Sequence, residues 1–178
     1  MQLSYSAACE SLNGRLVYAI ADIHGEAHLL ETLHNQIRSH AEGSNAVGFV
    51  VVYLGDYVDF GHNSRDVIDR IVNDGLFEFQ NYYLVGDHDL RFLNLIESDE
   101  ETLLGYEQAD GALLKWLFEE GGSKTLASYG VYPPIHSRPL AGLPDFISQA
   151  KRSIPPEHAT FLRSLMPYIQ VGDFFFSH

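Results

Sequence analysis

The sequence predicts an α/β fold built on a parallel sheet, and three observations carry that prediction. Short β-branched and aromatic runs alternate three times with segments of helical periodicity. The second run is apolar at consecutive positions, as expected of a strand covered on both faces. Each run also ends in a turn rich in Gly, Asp or His.

Arg15-Leu-Val-Tyr-Ala-Ile20 is the first expected strand, and it ends in Ala21-Asp22-Ile23-His24-Gly25. Leu30, Leu33, Ile37 and Ala41 then recur at helical spacing, so an amphipathic helix follows, stopped by Gly43 and Asn45. Ala46 to Leu54 is the second strand and ends in Gly55-Asp56-Tyr57-Val58-Asp59. Asn63 or Ser64 is placed to cap a helix carrying Val67, Ile68, Ile71 and Val72. Tyr82 to Val85 is the third strand and ends in Gly86-Asp87-His88-Asp89. A helix with Leu90, Leu93 and Ile96 on one face is expected after it. This β-α-β-α-β-α succession implies right-handed crossovers.

The second half reads differently. Glu97 to Glu101 is an acidic solvated loop or helix end, and Ala112 to Phe118 a short helix around Trp116 stopped by Gly121-Gly122. All seven prolines fall between Pro133 and Pro167, which predicts mostly loop apart from a helix from about Pro156 to Leu165. Tyr168 to Val171 and Phe174 to Phe176 flank Gly172-Asp173 as a hairpin. Residues 1–178 read as a single domain, long enough to bury about 70% of its unfolded surface without disulfides.

Composition narrows the function. Hydrophobic residues at 46% and charged residues at 20% exclude a disordered chain. Eleven Lys and Arg against 24 Asp and Glu give a net charge of −13, which argues against non-specific binding to nucleic acid or to an anionic membrane. Cys9 is the sole cysteine, so neither an intramolecular disulfide nor a multi-cysteine zinc site can form. Ala46 to Leu54, the longest apolar run, is too short to span a bilayer, and no apolar leader precedes it. The expected compartment is the cytoplasm.

In parallel α/β sheets ligands sit at the carboxyl ends of the strands. Adjacent strands would therefore bring Asp22, His24, Asp56, Asp59, Asp87, His88 and Asp89 toward one crevice. Carboxylates converging this closely repel one another, and few Lys or Arg lie near these motifs, so divalent metals are the economical counter-charge. Oxygen and imidazole donors without thiolate suit Mn²⁺, Fe²⁺ or Zn²⁺. Asp56, between other donor groups, is placed to bridge two ions, an arrangement that activates water for attack at phosphorus. His28, His34, His40, His136 and His158 are expected at the surface, with His62 left open.

The three motifs, Asp22-Ile-His24-Gly25, Gly55-Asp56-Tyr-Val-Asp59 and Gly86-Asp87-His88-Asp89, resemble those of the calcineurin-like metallophosphoesterases, in particular the phosphoprotein (serine/threonine) phosphatase branch. The middle stretch, Trp116-Leu117 and Gly121 to Gly130, is similar to small bacterial members, and Phe174-Phe-Phe-Ser-His178 to the family's strand ending in a ligand histidine. The resemblance implies a two-sheet sandwich flanked by helices, its second sheet incomplete because the sequence stops at His178. The expectation is a truncated piece of a longer protein.

The resemblance further implies that Asp22, His24 and Asp56 hold one metal, and that Asp56, Asp87 and His178 hold a second, weaker one, with Mn²⁺ the first choice. His88 would be the general acid, Asp59 would fix its tautomer, and a metal-bound hydroxide would attack. The implied activity is hydrolysis of phosphate monoesters on proteins or small molecules. Alternatives are a dinucleoside polyphosphate hydrolase and a catalytically impaired, metal-binding pseudo-phosphatase. Three departures bear on this choice: Phe60 where the family has a phosphate-clamping Arg, Asp87 where it has Asn, and Asp89 where it has Glu. Arg65 is the nearest candidate to replace the clamp. The apolar strand Phe174 to Phe176 would be an unpaired edge and a site of self-association.

Overall fold

The computed structural model describes residues 12–133 and 142–178; Cys9 and His136 lie outside the described residues. Three strands, β1 (Arg15–Ile20), β2 (Gly48–Tyr53) and β3 (Gln80–Tyr83), form a parallel sheet in the order β1-β2-β3. The register sets Ile20 beside Tyr53 and Tyr53 beside Tyr83, so all three strands end level with one another. The motifs that follow them therefore emerge along one sheet edge.

The central strand is the most apolar, and its two faces serve two cores. Val51 and Tyr53 join the larger core with residues of α1 (Ala27–Glu42), α2 (Ser64–Asn73) and α3 (Asp87–Glu97). Val50 and Val52 face the other way, toward Leu84 and Val171. There a second, antiparallel sheet covers them: β4 (Tyr168–Val171) pairs with β5 (Phe174–Ser177), Val171 opposite Phe174. Between the two sheets the chain runs beside β3, where Met166 N–H donates to Tyr83 O and Val85 N–H to Met166 O, both at 2.9 Å. The architecture is thus a parallel sheet with helices on one face and a hairpin on the other. The outer face of the hairpin exposes Tyr168, Phe174 and Phe175, the rings of Tyr168 and Phe175 stacking at 5.2 Å.

Several elements differ from the sequence reading. β3 begins two residues earlier than expected, and Leu84 makes only an isolated bridge to Met166. On α3, Leu90 is 52% exposed, whereas Phe92 and Leu95 are buried and Leu93 and Ile96 half-buried. Phe92 sets that face, because it stacks against Trp116 and Tyr129.

The acidic segment opens an unexpected helix, α4 (Glu100–Asp110). Asp99 caps it by accepting from Thr102 N–H, and Glu100 and Glu101 sit where the helix dipole favours negative charge. α5 (Ala112–Glu119) lies where it was expected, but α6 (Gly122–Ser128) was not foreseen. The proline-rich region is mainly helical among its described residues, with α7 (Leu143–Ser153) and α8 (Pro156–Arg163). Each carries a proline at its first turn, where the missing N–H costs nothing.

Two histidines expected at the surface are buried. His158 bonds Tyr129 Oη at 2.9 Å and Asp69 Oδ1 at 2.8 Å, tying α8 to α2. His34 meets Tyr53 Oη through Nε2 at 2.9 Å, while its Nδ1 has no partner. Burial, helped by Arg38 and Arg70, pushes the His34 pKa down to about 4. A depressed folded-state pKa means that its neutral form supports stability above pH ~6.5, and that this support is lost as pH falls toward 4. At pH 4.5 the loss is roughly 2–3 kcal/mol. His34→Gln, which keeps a partner for Tyr53 and cannot titrate, should show a smaller fall in urea midpoint between pH 7 and 4.5 than the wild type. Parallel midpoints for the two proteins would exclude His34 as a source of acid sensitivity.

Candidate functional site

The loops after β1 and β2 are zipped together by their backbones. Ile23 and His24 N–H both donate to Asp56 O at 2.9 Å, Gly25 N–H donates to Tyr57 O, and Gly61 N–H returns to His24 O. These bonds hold five non-glycine residues in the left-handed region: Asp22 (φ 38°), His24 (44°), Asp56 (55°), Asp59 (72°) and Phe60 (53°). Such conformations cost on the order of 1–3 kcal/mol each and persist only where neighbours over-determine them, typically at functional sites. The loop after β3 is fixed by Asp89. Its buried carboxylate accepts from Asp56 N–H (2.7 Å), Tyr57 N–H (2.9 Å) and Gly86 N–H (2.9 Å). Burial raises the Asp89 pKa to about 6 although all three donors oppose it. Gly86 lies so close to Asp56 that a Cβ there would collide with the carboxylate.

Asp56 is the hub of the resulting cluster. One atom each from Asp22, Asp56 and His178 lie within 4.8 Å of one another, and so do atoms of Asp56, Asp87 and His88. Both groups could hold a metal, and both use Asp56. Its Oδ1 accepts the His88 backbone N–H at 3.1 Å, at the start of α3. Its Oδ2 lies 3.6 Å from His24 Nε2 and 3.4 Å from His178 Nε2.

His24 and His178 each direct Nδ1 to a backbone carbonyl, Val58 O at 2.8 Å and Leu54 O at 2.9 Å, which leaves Nε2 toward Asp56. Metal-ligating histidines are commonly oriented in this way. Burial pushes the His178 pKa down, but Leu54 O and the charges of Asp56, Asp22 and Asp87 outweigh it, and the net shift is upward. The pocket therefore favours positive charge, and its oxygen and imidazole donors fit a divalent cation. The grouping differs from the expected one in two respects. His178 lies as close to Asp22 and Asp56 as to Asp87, and His24 touches Asp56 but joins neither triad.

His88 Nδ1 meets Asp59 Oδ2 at 2.8 Å. The Asp59 carboxylate is fully buried and accepts twice more, from Trp116 Nε1–H at 2.7 Å and from Thr125 Oγ1–H at 2.6 Å. Thr125 Oγ1 in turn accepts Asp59 N–H at 2.8 Å, and Ser64 Oγ lies 3.1 Å away. Burial pushes the Asp59 carboxyl above its ordinary range, against the pull of Thr125, His88 and Trp116. Trp116 and Thr125 received no role from the sequence reading, although both lie in the Trp-Leu…Gly-Gly-x-x-Thr stretch. Gly121 admits this support, since a Cβ there would strike Phe60 N and Asp59.

The remaining sequence candidates fall around this cluster. The Phe60 ring is 46% exposed and lies edge-on to His24 (4.9 Å) and against His88 (5.0 Å). Arg65 is engaged by Asp69 and the Tyr129 ring, not by the site carboxylates. The cation that does reach the cluster, Arg91, was missed. It pairs with Asp87 Oδ2 at 3.3 Å, one helical turn on, and also with Glu120. Its i, i+4 spacing from Asp87 was the available signal.

A parallel sheet ending in a carboxylate–imidazole cluster, beside a buried Asp–His pair, defines a metal-assisted hydrolytic centre in outline. The chain belongs to the calcineurin-like phosphoesterase family, whose profile matches residues 16–172, and that family uses divalent metals. Among solved structures it is similar to a provisionally assigned diadenosine tetraphosphatase, at 21% identity and a TM-score of 0.50, covering 91% of this chain and 49% of that one. It is also similar to a metallophosphoesterase from Sphaerobacter thermophilus, at 13% identity and a TM-score of 0.39, covering 89% and 44%. The chain thus spans about half the length of these two structures. No curated protein matches it. Among the described residues no helix is long and apolar enough to cross a membrane.

The Asp59 network yields a stability test. Thr125→Val keeps the side-chain shape but removes both a donor to a buried carboxylate and the acceptor for Asp59 N–H. The expected loss is about 1–3 kcal/mol, seen as a lower urea midpoint with an unchanged m-value. An unaltered midpoint would mean that Asp59 does not depend on this hydroxyl.

Proposed function

We propose that the protein hydrolyses phosphate esters with two divalent ions at this cluster, as a member of the family's phosphoprotein phosphatase branch or a close relative of it. The single observation that carries the reading is the Asp59–His88 pair set directly against the Asp56-centred carboxylates.

Asp22, Asp56 and His178 would hold one ion and Asp56 and Asp87 the other, with His24 oriented toward Asp56. Bound there, divalent ions would offset the carboxylate repulsion, polarise the phosphoryl oxygens and lower the pKa of water, Mn²⁺ being the first candidate. The chain's own residues do the rest. Asp59 accepts Nδ1–H and so leaves Nε2 of His88 as the nitrogen that exchanges a proton with substrate. As the P–O bond breaks, the leaving oxygen takes the electron pair and the Nε2 proton. Trp116 and Thr125 hold Asp59 and thereby the ring. Phe60 presses on His24 and His88 from the solvent side and supplies apolar surface where a guanidinium would attract phosphate.

His88→Asn should lower kcat by about 10²–10⁴ on an alkyl phosphate, whose poor leaving group needs the proton, and much less on p-nitrophenyl phosphate. Equal losses on both substrates would remove His88 from the proton-transfer role. EDTA should abolish turnover and Mn²⁺ restore it. Phe60→Arg should raise kcat/KM toward phosphate monoesters by about tenfold or more, since a preorganised donor of this kind is worth roughly 10²–10³ elsewhere. A chain that binds Mn²⁺ and phosphorylated ligands but turns over nothing, with or without Arg at position 60, would be a pseudo-phosphatase.

A further inference from the structure

A cleft of about 360 Å³ lies beside the metal cluster, between α3 and α5, and no step above uses it. Its volume is that of a small-molecule site rather than of an extended peptide groove. Two features connect it to the chemistry. Arg91 lines the cleft while pairing with Asp87, so one guanidinium borders both spaces. Trp116 also lines it, and the indole N–H of that residue holds Asp59, which in turn holds His88. The cleft thus lies against the residues that serve the leaving oxygen.

Its lining is chemically divided. Leu95, Leu103 and Leu113 offer an apolar wall to a flat ring. Asn94 and Glu120 offer hydrogen bonds, and Arg91 and Lys115 offer positive charge at the rim. Both cations are now held by Glu120, Lys115 at 3.0 Å, so they are gathered at one point and can exchange that partner for a phosphate.

We infer that the α3–α5 cleft is the leaving-group subsite and takes a nucleoside phosphate, with its ring on the leucine wall and its phosphates against Arg91. The inference rests on the phosphoesterase reading and deepens it. The scissile bond is then a P–O–P linkage: a water oxygen bonds to phosphorus, the bridging bond breaks, and the departing nucleotide keeps the electron pair and accepts the proton from His88.

Trp116 is the only tryptophan in the chain, so its fluorescence reports directly on the cleft. Adenosine diphosphate should quench it saturably in the Mn²⁺-loaded protein and, more weakly, in EDTA, whereas inorganic phosphate should not quench it in EDTA. Ala112→Phe introduces a ring into the cleft from an exposed position at the start of α5 and should weaken adenosine diphosphate binding by about tenfold or more. Lys115→Glu, at an exposed side chain, should weaken it several-fold. Both variants should lower the ratio of kcat/KM for diadenosine tetraphosphate to that for p-nitrophenyl phosphate.

Failure of the two readings can be told apart. Quenching that both variants weaken, without turnover of any substrate, would sink the hydrolase reading and leave the cleft as a nucleotide site. Turnover with no quenching, or with affinities unchanged in both variants, would overturn the cleft assignment. Saturable quenching by a phosphoserine peptide but not by adenosine diphosphate would overturn it in favour of a peptide partner.

Discussion

Crowding of negative charge at one sheet edge is the constraint on which the rest of this structure depends. Asp22, Asp56 and Asp87 converge in a chain that already carries a net charge of −13. Like charges a few ångströms apart cost energy that no single exposed cation fully offsets. The molecule holds them by backbone, through the zipped loops after β1 and β2 and through the three N–H groups gathered by Asp89. The left-handed residues follow from the same need, because only a sharply turned chain can aim Asp22, His24 and Asp56 at one point. Level strand ends make this possible, and the apolar burial of β2 on both faces keeps them level.

Asp59 poses a different problem with a different solution. It is wholly buried, so desolvation opposes its charge, and the structure answers with three side-chain donors rather than a cation. Two of those donors come from α5 and α6, which explains why the helical second half is needed by a site whose other residues follow the first three strands. Ser64 extends the network to α2. His88 is consequently positioned by residues up to 66 positions away in sequence, while its neighbour Asp87 stays exposed to solvent.

The parts legible in the sequence were those with a local cause. β1 and α1 followed from periodicity, and the three motif loops from Gly and Asp at strand ends. Where two local signals competed, the sequence misled. Acidic residues after α3 looked like a solvated loop, yet the same charges suit the N-terminus of α4 once Asp99 caps it. Prolines looked like loop formers, yet at first-turn positions they start α7 and α8. Tertiary effects were out of reach. Nothing local distinguishes His28, which is exposed, from His34 and His158, which are buried against Tyr53 and Tyr129. The Asp59–His88 distance could be expected from motif order, but the donors Trp116 and Thr125 could not be assigned without knowing that α5 and α6 return beneath the loop.

The departures from the family pattern form one electrostatic arrangement rather than separate defects. Replacing an amide by the Asp87 carboxylate adds a negative charge, and Arg91, one turn along α3, lies where it can neutralise that charge. Replacing a guanidinium by Phe60 removes positive charge from the opposite side, over His24 and His88. The positive charge at the cluster has therefore moved from the β2 loop to α3, on the side where Lys115 and Glu120 border the cleft. In the proposed reaction an anionic substrate meets apolar surface at Phe60 and a guanidinium at Arg91. The field then orients it with its phosphate chain toward α3, and a leaving group that is itself charged gains more from that orientation than a neutral alcohol does. The same displacement that weakens the site toward simple monoesters favours substrates whose negative charge continues beyond the scissile bond.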